Sequence, residues 1–147
     1  MIRVFFTSFL LFASFVFFSF LPQKTIAEEY EFQGIHFLAS YSQCEPEALT
    51  NVEQLKSTLF EAVTASGATI IDSAAYLFPP SGLTMVFLLS ESHMSIHTYP
   101  EHGACFIDLF TCGSKCSSEK FDQVLRSYLK PKQVNAKTLL RSEDIKE

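Results

Sequence analysis

Between Leu89 and Gly113 the chain reads LSESHMSIHTYPEHGACFIDLFTCG. Serine, histidine, cysteine and carboxylate side chains fall close together there, enough for nucleophilic, metal-binding or acid–base chemistry. Ser92 lacks a G-x-S-x-G setting, so nothing marks it as a nucleophile elbow. A Ser92–His97–Asp108 trio can be drawn, but any short chain offers such a trio, and without geometry it carries little weight. Cys112-x-x-x-Cys116 with His93, His97 or His102 makes a poor zinc site, because structural zinc takes tighter cysteine pairs in two well-spaced sets. No metal is expected.

Serine has another use that fits the preceding residue. The Ser92 hydroxyl can attack the Glu91 carbonyl and turn the amide into an ester. Elimination across Cα–Cβ then breaks the chain, and the new N-terminus hydrolyses to a pyruvoyl group, an electrophile made from the chain itself. The step needs a strained or well-held peptide, a proton shuttle, and groups that polarise the carbonyl. His97 could reach back to Ser92 from an adjacent turn. Thr84, on the preceding strand, could face the same spot.

The elements that must position these groups follow from periodicity. Tyr30–Tyr41 alternates loosely and is rich in aromatics, which predicts a first strand. Thr50-Asn51-Val52-Glu53 reads as a capping box with Thr50 at the N-cap. Val52, Leu55, Leu59 and Val63 then recur at helical spacing, and Gly67 stops the helix. Ala68–Phe78 reads as a strand and Pro79–Gly82 as a turn. Thr84–Leu89 reads as a short buried strand. His93–Tyr99 alternates, which puts His93 and His97 on one face. Ala104–Phe110 is a further strand. Ser117 or Ser118 caps a second helix with Phe121, Val124, Leu125, Tyr128 and Leu129 inward, ended by Pro131. Val134–Leu140 gives a last strand, and Arg141–Glu147 a frayed tail. The order predicts a two-layer α+β sandwich, a largely antiparallel sheet with both helices on one face.

Before Pro22 lie half of the 16 phenylalanines, and Arg3 is the only charge before Lys24. A basic start, an apolar run, and Thr25-Ile26-Ala27 before Glu28 predict that residues 1–27 form a signal peptide or a membrane anchor. The remaining 28–147 then carries nine basic and 16 acidic residues, a net charge of −7. That excludes nucleic acid and anionic membrane faces as expected partners. Cys44 and Cys105 read as buried core thiols. Cys116 reads as a loop thiol. His93 and His102 read as polar residues beside a turn or cleft, and His36 as bonding backbone near the strand–helix loop. Asp108 reads as a buried polar partner of the site.

The stretch LSESHMSIHTYPEHG followed by DLFTCG, together with GIHFLASYSQCEPEAL and ASGAT, closely resembles the bacterial S-adenosylmethionine decarboxylases, a self-processing, pyruvoyl-dependent family. The resemblance covers about Gly34 to Gly113 well and the two C-terminal elements loosely. It implies cleavage between Glu91 and Ser92 into a β chain 28–91 and an α chain 92–147. Ser92 would become the pyruvoyl group, which takes the substrate α-amine as a Schiff base with no external cofactor. His97 would assist processing, and Cys112 would protonate the product carbanion. Glu101 would hold the substrate ribose, and Phe78 would stack on the adenine. The family works as a dimer of αβ units with active sites at the interface, and its product serves spermidine and other polyamine synthesis.

The chain departs from the family pattern at several positions. Thr84 stands where serine is usual but keeps the hydroxyl. Ser40 stands for a frequent aspartate and Gln43 for a common glycine. The apolar leader points to export or anchoring, whereas the family chemistry points to the cytoplasm, where the substrate is made. In an exported chain a Cys112–Cys116 disulfide would remove the proton donor. Two other readings stand beside this one: a pyruvoyl-dependent arginine or ornithine decarboxylase on the same scaffold, and a non-processing, membrane-anchored homologue.

Overall fold

The computed structural model describes residues 32–112 and 115–142. The expected leader 1–27 and most of the expected tail lie outside the described residues. Among those described, no helix is long and apolar enough to cross a membrane.

Among the described residues, six strands form one antiparallel sheet: β1 (Gln33–Ser42), β2 (Ile70–Phe78), β3 (Gly82–Leu89), β4 (Ser92–Tyr99), β5 (Ala104–Thr111) and β6 (Gln133–Ser142). Their order across the sheet is β2-β3-β4-β5-β1-β6. The helices are α1 (Pro46–Thr50), α2 (Val52–Ser66) and α3 (Ser118–Leu129). Phe121 of α3 packs edge-on against Phe37 of β1, and Phe60 of α2 against Phe87 of β3, so α2 and α3 cover the same sheet face. This is the two-layer α+β sandwich that the element order predicts. The third, short helix α1 was hidden in the sequence by its length and by Pro46 at its start.

Local chemistry explains the boundaries. The α2 N-cap is Asn51, whose side chain accepts the Gln54 N–H at 3.2 Å. The expected capping box was therefore one residue out of register. Thr50 turns back instead and donates to the Pro46 carbonyl at 3.1 Å, because it closes α1 rather than opening α2. Gly67 ends α2 at φ 91°, a conformation that costs a side chain dearly, and a Cβ there would also meet the Lys115 carbonyl at 3.2 Å. Ser117 caps α3 by accepting the Lys120 N–H, and Lys130 closes it just before Pro131.

The core lies between the sheet and the helices. Phe37, Tyr41, Phe87, Met94, Ile96, Ile107 and Leu109 meet Leu55, Leu59, Val63, Phe121, Leu125 and Leu129 there. The Tyr41 hydroxyl reaches Asp122 on α3. Cys44 and Cys105 are buried free thiols, as expected. They bond to each other, and that bond together with burial pushes the Cys105 thiol far up, keeping it neutral. Phe87 is fully buried in this layer. Phe87→Ala is expected to cost about 3–5 kcal/mol of stability, because the ring leaves a cavity that the sheet cannot close. Urea unfolding measures this, and a loss below about 1 kcal/mol would contradict the packing.

The second sheet face is open. Opposite residues in an antiparallel pair share a face, so the register lays out rows across the sheet. One row runs Leu88, His93, Phe110, His36, Leu139. The next runs Ala74, Val86, Ser95, Asp108, Leu38, Lys137. A third runs Tyr76, Thr84, His97, Phe106, Ser40, Asn135. β3 is therefore not the buried strand expected from its apolar run. Leu83, Met85, Phe87 and Leu89 face the core, while Val86 and Leu88 lie on the open side. Tyr76, Phe78, Val86, Leu88, Phe106 and Leu139 are each between 41% and 63% exposed on that side.

Candidate active site

Glu91 and Ser92 sit at the tight connection between β3 and β4. Ser92 has φ 149°, a backbone conformation that is strained for any residue with a Cβ. The Glu91 carbonyl accepts the Cys112 N–H at 2.9 Å. Cys112 follows β5 directly and is half-buried, so the strand pairing Ser92↔Thr111 delivers it to the Glu91-Ser92 peptide. A carbonyl held by a backbone donor beside a strained serine is poised for attack by a hydroxyl, since the donor favours the negative charge that develops on oxygen.

The Ser92 hydroxyl bonds to the ring of its neighbour, Ser92 Oγ to His93 Nδ1 at 3.0 Å. By sequence His93 is only a polar residue beside a turn or cleft. Adjacency was its only signal, and alternating strand neighbours normally point apart; the unusual Ser92 backbone brings them together. Cys116 also reaches this end of the sheet. Burial and then the Glu91 charge push its thiol up, and Thr111 bonds it.

His97 does not reach Ser92 within the chain. Five positions of β4 separate them, roughly 16 Å at the usual strand rise, so they lie toward opposite ends of the strand. His97 Nδ1 bonds the Thr84 hydroxyl instead. Its ring lies 5.5 Å from Phe78 and 4.5 Å from Tyr99, centroid to centroid. Tyr76 packs on Phe78 and Phe106 on Tyr99, which completes an aromatic enclosure on the open face. Glu101 lies just beyond, in the exposed turn Pro100–His102 after β4, with its carboxylate 4.0 Å from His102. The expected site residues thus form two groups. Glu91, Ser92 and Cys112 hold one end of the sheet. Phe78, Thr84, His97 and Glu101 hold the other.

The Ser92–His97–Asp108 trio fails on geometry as well. Asp108 accepts from Ser95 at 3.1 Å and lies 3.7 Å from His36 Nε2, both on the open face. His36 therefore belongs to this polar cluster and not to the strand–helix loop. Its Nε2 is buried without a hydrogen-bond partner. Beside the cluster, a groove of about 300 Å³ runs along Leu38, Ser40, Phe106, Asp108, Asn135 and Lys137. Among the described residues, no group of histidine, cysteine and carboxylate side chains is placed to hold a metal ion.

Comparison with known proteins gives the family. The family model described as S-adenosylmethionine decarboxylase matches residues 35–142. The S-adenosylmethionine decarboxylase proenzyme of Brevibacillus brevis is 41% identical over 113 residues, covering 77% of this chain and 85% of that protein. The proenzyme of the same name from Thermotoga maritima is 41% identical over 102 residues, 69% of this chain and 78% of its own. Among solved structures, the adenosylmethionine decarboxylase of Aquifex aeolicus superposes with a TM-score of 0.71 at 33% identity, over 80% of this chain and 97% of that one. On the extent of these matches, the chain belongs to the S-adenosylmethionine decarboxylase family.

Proposed function

We propose that this protein is a self-processing decarboxylase of S-adenosylmethionine, and that it makes its own pyruvoyl group at Ser92. The observation that carries the reading is the strained Ser92 beside a Glu91 carbonyl held by the Cys112 amide. Ser92 Oγ attacks that carbonyl carbon, and the acyl group moves from nitrogen to oxygen. Loss of the Ser92 α-proton then expels the Glu91 carboxylate, and water releases ammonia from the new terminus. The products are chains 28–91 and 92–147. The Cys112 N–H steadies the carbonyl oxygen as it gains charge, and His93 holds the attacking hydroxyl.

Once formed, the pyruvoyl group supplies the electrophilic carbonyl for the substrate α-amine and the sink for the electrons released with CO₂. Cys112, whose amide already meets the Glu91 carbonyl, returns a proton to the product. Phe78 offers an aromatic face for adenine and Glu101 a carboxylate for the ribose hydroxyls. Both favour a nucleoside over arginine or ornithine. Those groups lie at the far end of the sheet, so one chain does not hold a complete site. A second copy stacked on the open face, ends reversed, brings His97, Thr84, Phe78 and Glu101 over the Ser92 and Cys112 of the first. The half-exposed apolar side chains of that face suit burial in such a dimer.

The test joins intact mass with turnover. Purified protein should resolve into two fragments split at Glu91/Ser92, and should release CO₂ from S-adenosylmethionine but not from arginine or ornithine. A chain that stays whole on long incubation sinks the processing reading. Release from arginine or ornithine instead would reassign the substrate.

A further inference from the structure

The turn carrying the Glu91-Ser92 bond is gripped by one residue from a distant part of the chain. Thr69 lies between the Gly67 stop of α2 and the start of β2. Its carbonyl accepts the Ser90 N–H at 2.9 Å. Its own N–H donates to Glu91 Oε2, also at 2.9 Å. With the Cys112 N–H on the Glu91 carbonyl, three hydrogen bonds fix the two residues ahead of Ser92. Two of them are backbone to backbone and form with any residues at 90 and 91. The third needs a side-chain acceptor of this length.

A serine at φ 149° persists only where its surroundings hold it. Thr69 is tied in turn to the interior: Ala68 before it is buried, and the Ala68 N–H bonds the buried Ser66 hydroxyl. The Ser66 carbonyl accepts the Ser117 N–H at 2.8 Å, which joins the end of α2 to the cap of α3. The turn is thus fastened through Thr69 to both helices. Cys116 lies beside the same carboxylate, and burial and that charge push its thiol up.

We propose that the Glu91 carboxylate is a positioning group for chain cleavage, holding the Thr69 N–H so that Ser92 stays strained and the Glu91 carbonyl stays on the Cys112 amide. The inference rests on the reading that the chain cleaves between Glu91 and Ser92. The carboxylate gives up no proton and forms no bond in the step. It acts only through the geometry of the turn.

The experiment follows conversion of the full chain to two fragments by intact mass, for wild type, Glu91→Ala, Glu91→Asp and Glu91→Gln. Loss of the acceptor in Glu91→Ala should slow cleavage about tenfold. Glu91→Asp, too short to reach Thr69, should be similarly slow. Glu91→Gln keeps an oxygen at the same reach and should recover most of the rate. Amide hydrogen exchange at Thr69, measured in uncleaved Ser92→Ala protein, should speed up when Glu91→Ala is added. Cleavage of Glu91→Ala or Glu91→Asp at the wild-type rate overturns the proposal. So does a Glu91→Gln chain as slow as Glu91→Ala, or Thr69 exchange that does not change. A wild-type chain that never splits would instead remove the cleavage reading, and the Thr69 exchange would still judge the anchor by itself.

Discussion

Ser92→Ala should leave a single chain of unbroken mass and abolish decarboxylation. Alanine keeps the Cα and Cβ but has no oxygen to take the Glu91 acyl group, so no ester forms and no carboxylate can be expelled. The substitution removes one hydrogen bond, to His93, from a half-exposed position, so the fold should survive it. Turnover should fall by more than about a thousandfold, because without the pyruvoyl carbonyl nothing in the site accepts the electrons left by CO₂. Intact mass and CO₂ release check the two halves of the claim, and a melting curve confirms that the variant is folded. Splitting of the Ser92→Ala chain at the same place would show that Ser92 is not the attacking residue.

The second large effect is expected from two defective chains together. Ser92 and His97 are far apart along β4, while His97 is tied to Thr84. If processing needs both, they come from different copies. His97→Ala alone should then stay whole, as should Ser92→Ala alone. Co-expressed with distinguishable tags, the His97→Ala chain should be cut and the Ser92→Ala chain should not. With random pairing, about half of the His97→Ala chains find a Ser92→Ala partner, which sets the yield. Cutting of His97→Ala by itself would show that His97 is dispensable. An uncut mixture with verified mixed dimers would show that the site is not shared in this way.

Much of this layout could be read from local pattern. The apolar repeats of α2 and α3, the alternation of β4 and the stop at Gly67 depend on neighbours a few residues away, and such signals survive in sequence. The separation of Ser92 and His97 was also legible, since five residues at the rise of a strand already hold them about 16 Å apart. What sequence hid was set by contacts between distant segments. The apolar run of β3 looked buried on both sides because nothing in it reveals which face helices will cover. The Ser92–His93 bond depends on a strained backbone that no composition signals. Thr69 had no mark at all, since its role comes from where Gly67 aims the chain after α2. The N-cap moved by one residue because Thr50 and Asn51 are both good caps, and α1 claimed Thr50 first.

The strand order has a consequence for what the break leaves behind. Chain 28–91 would own β1, β2 and β3, and chain 92–147 would own β4, β5 and β6. In the sheet these are shuffled, so that three of the five seams, β3 with β4, β5 with β1, and β1 with β6, join one piece to the other. Each piece keeps only one hairpin, β2 with β3 or β4 with β5, and the core is shared between the two. The cut is therefore silent in shape, yet it changes the molecularity of the fold. Before it, the protein can unfold and recover as one body; after it, recovery becomes an encounter between two strangers and depends on concentration. Processing would thus act as a one-way ratchet, with assembly coming first and the break made only in a molecule that already holds its halves together.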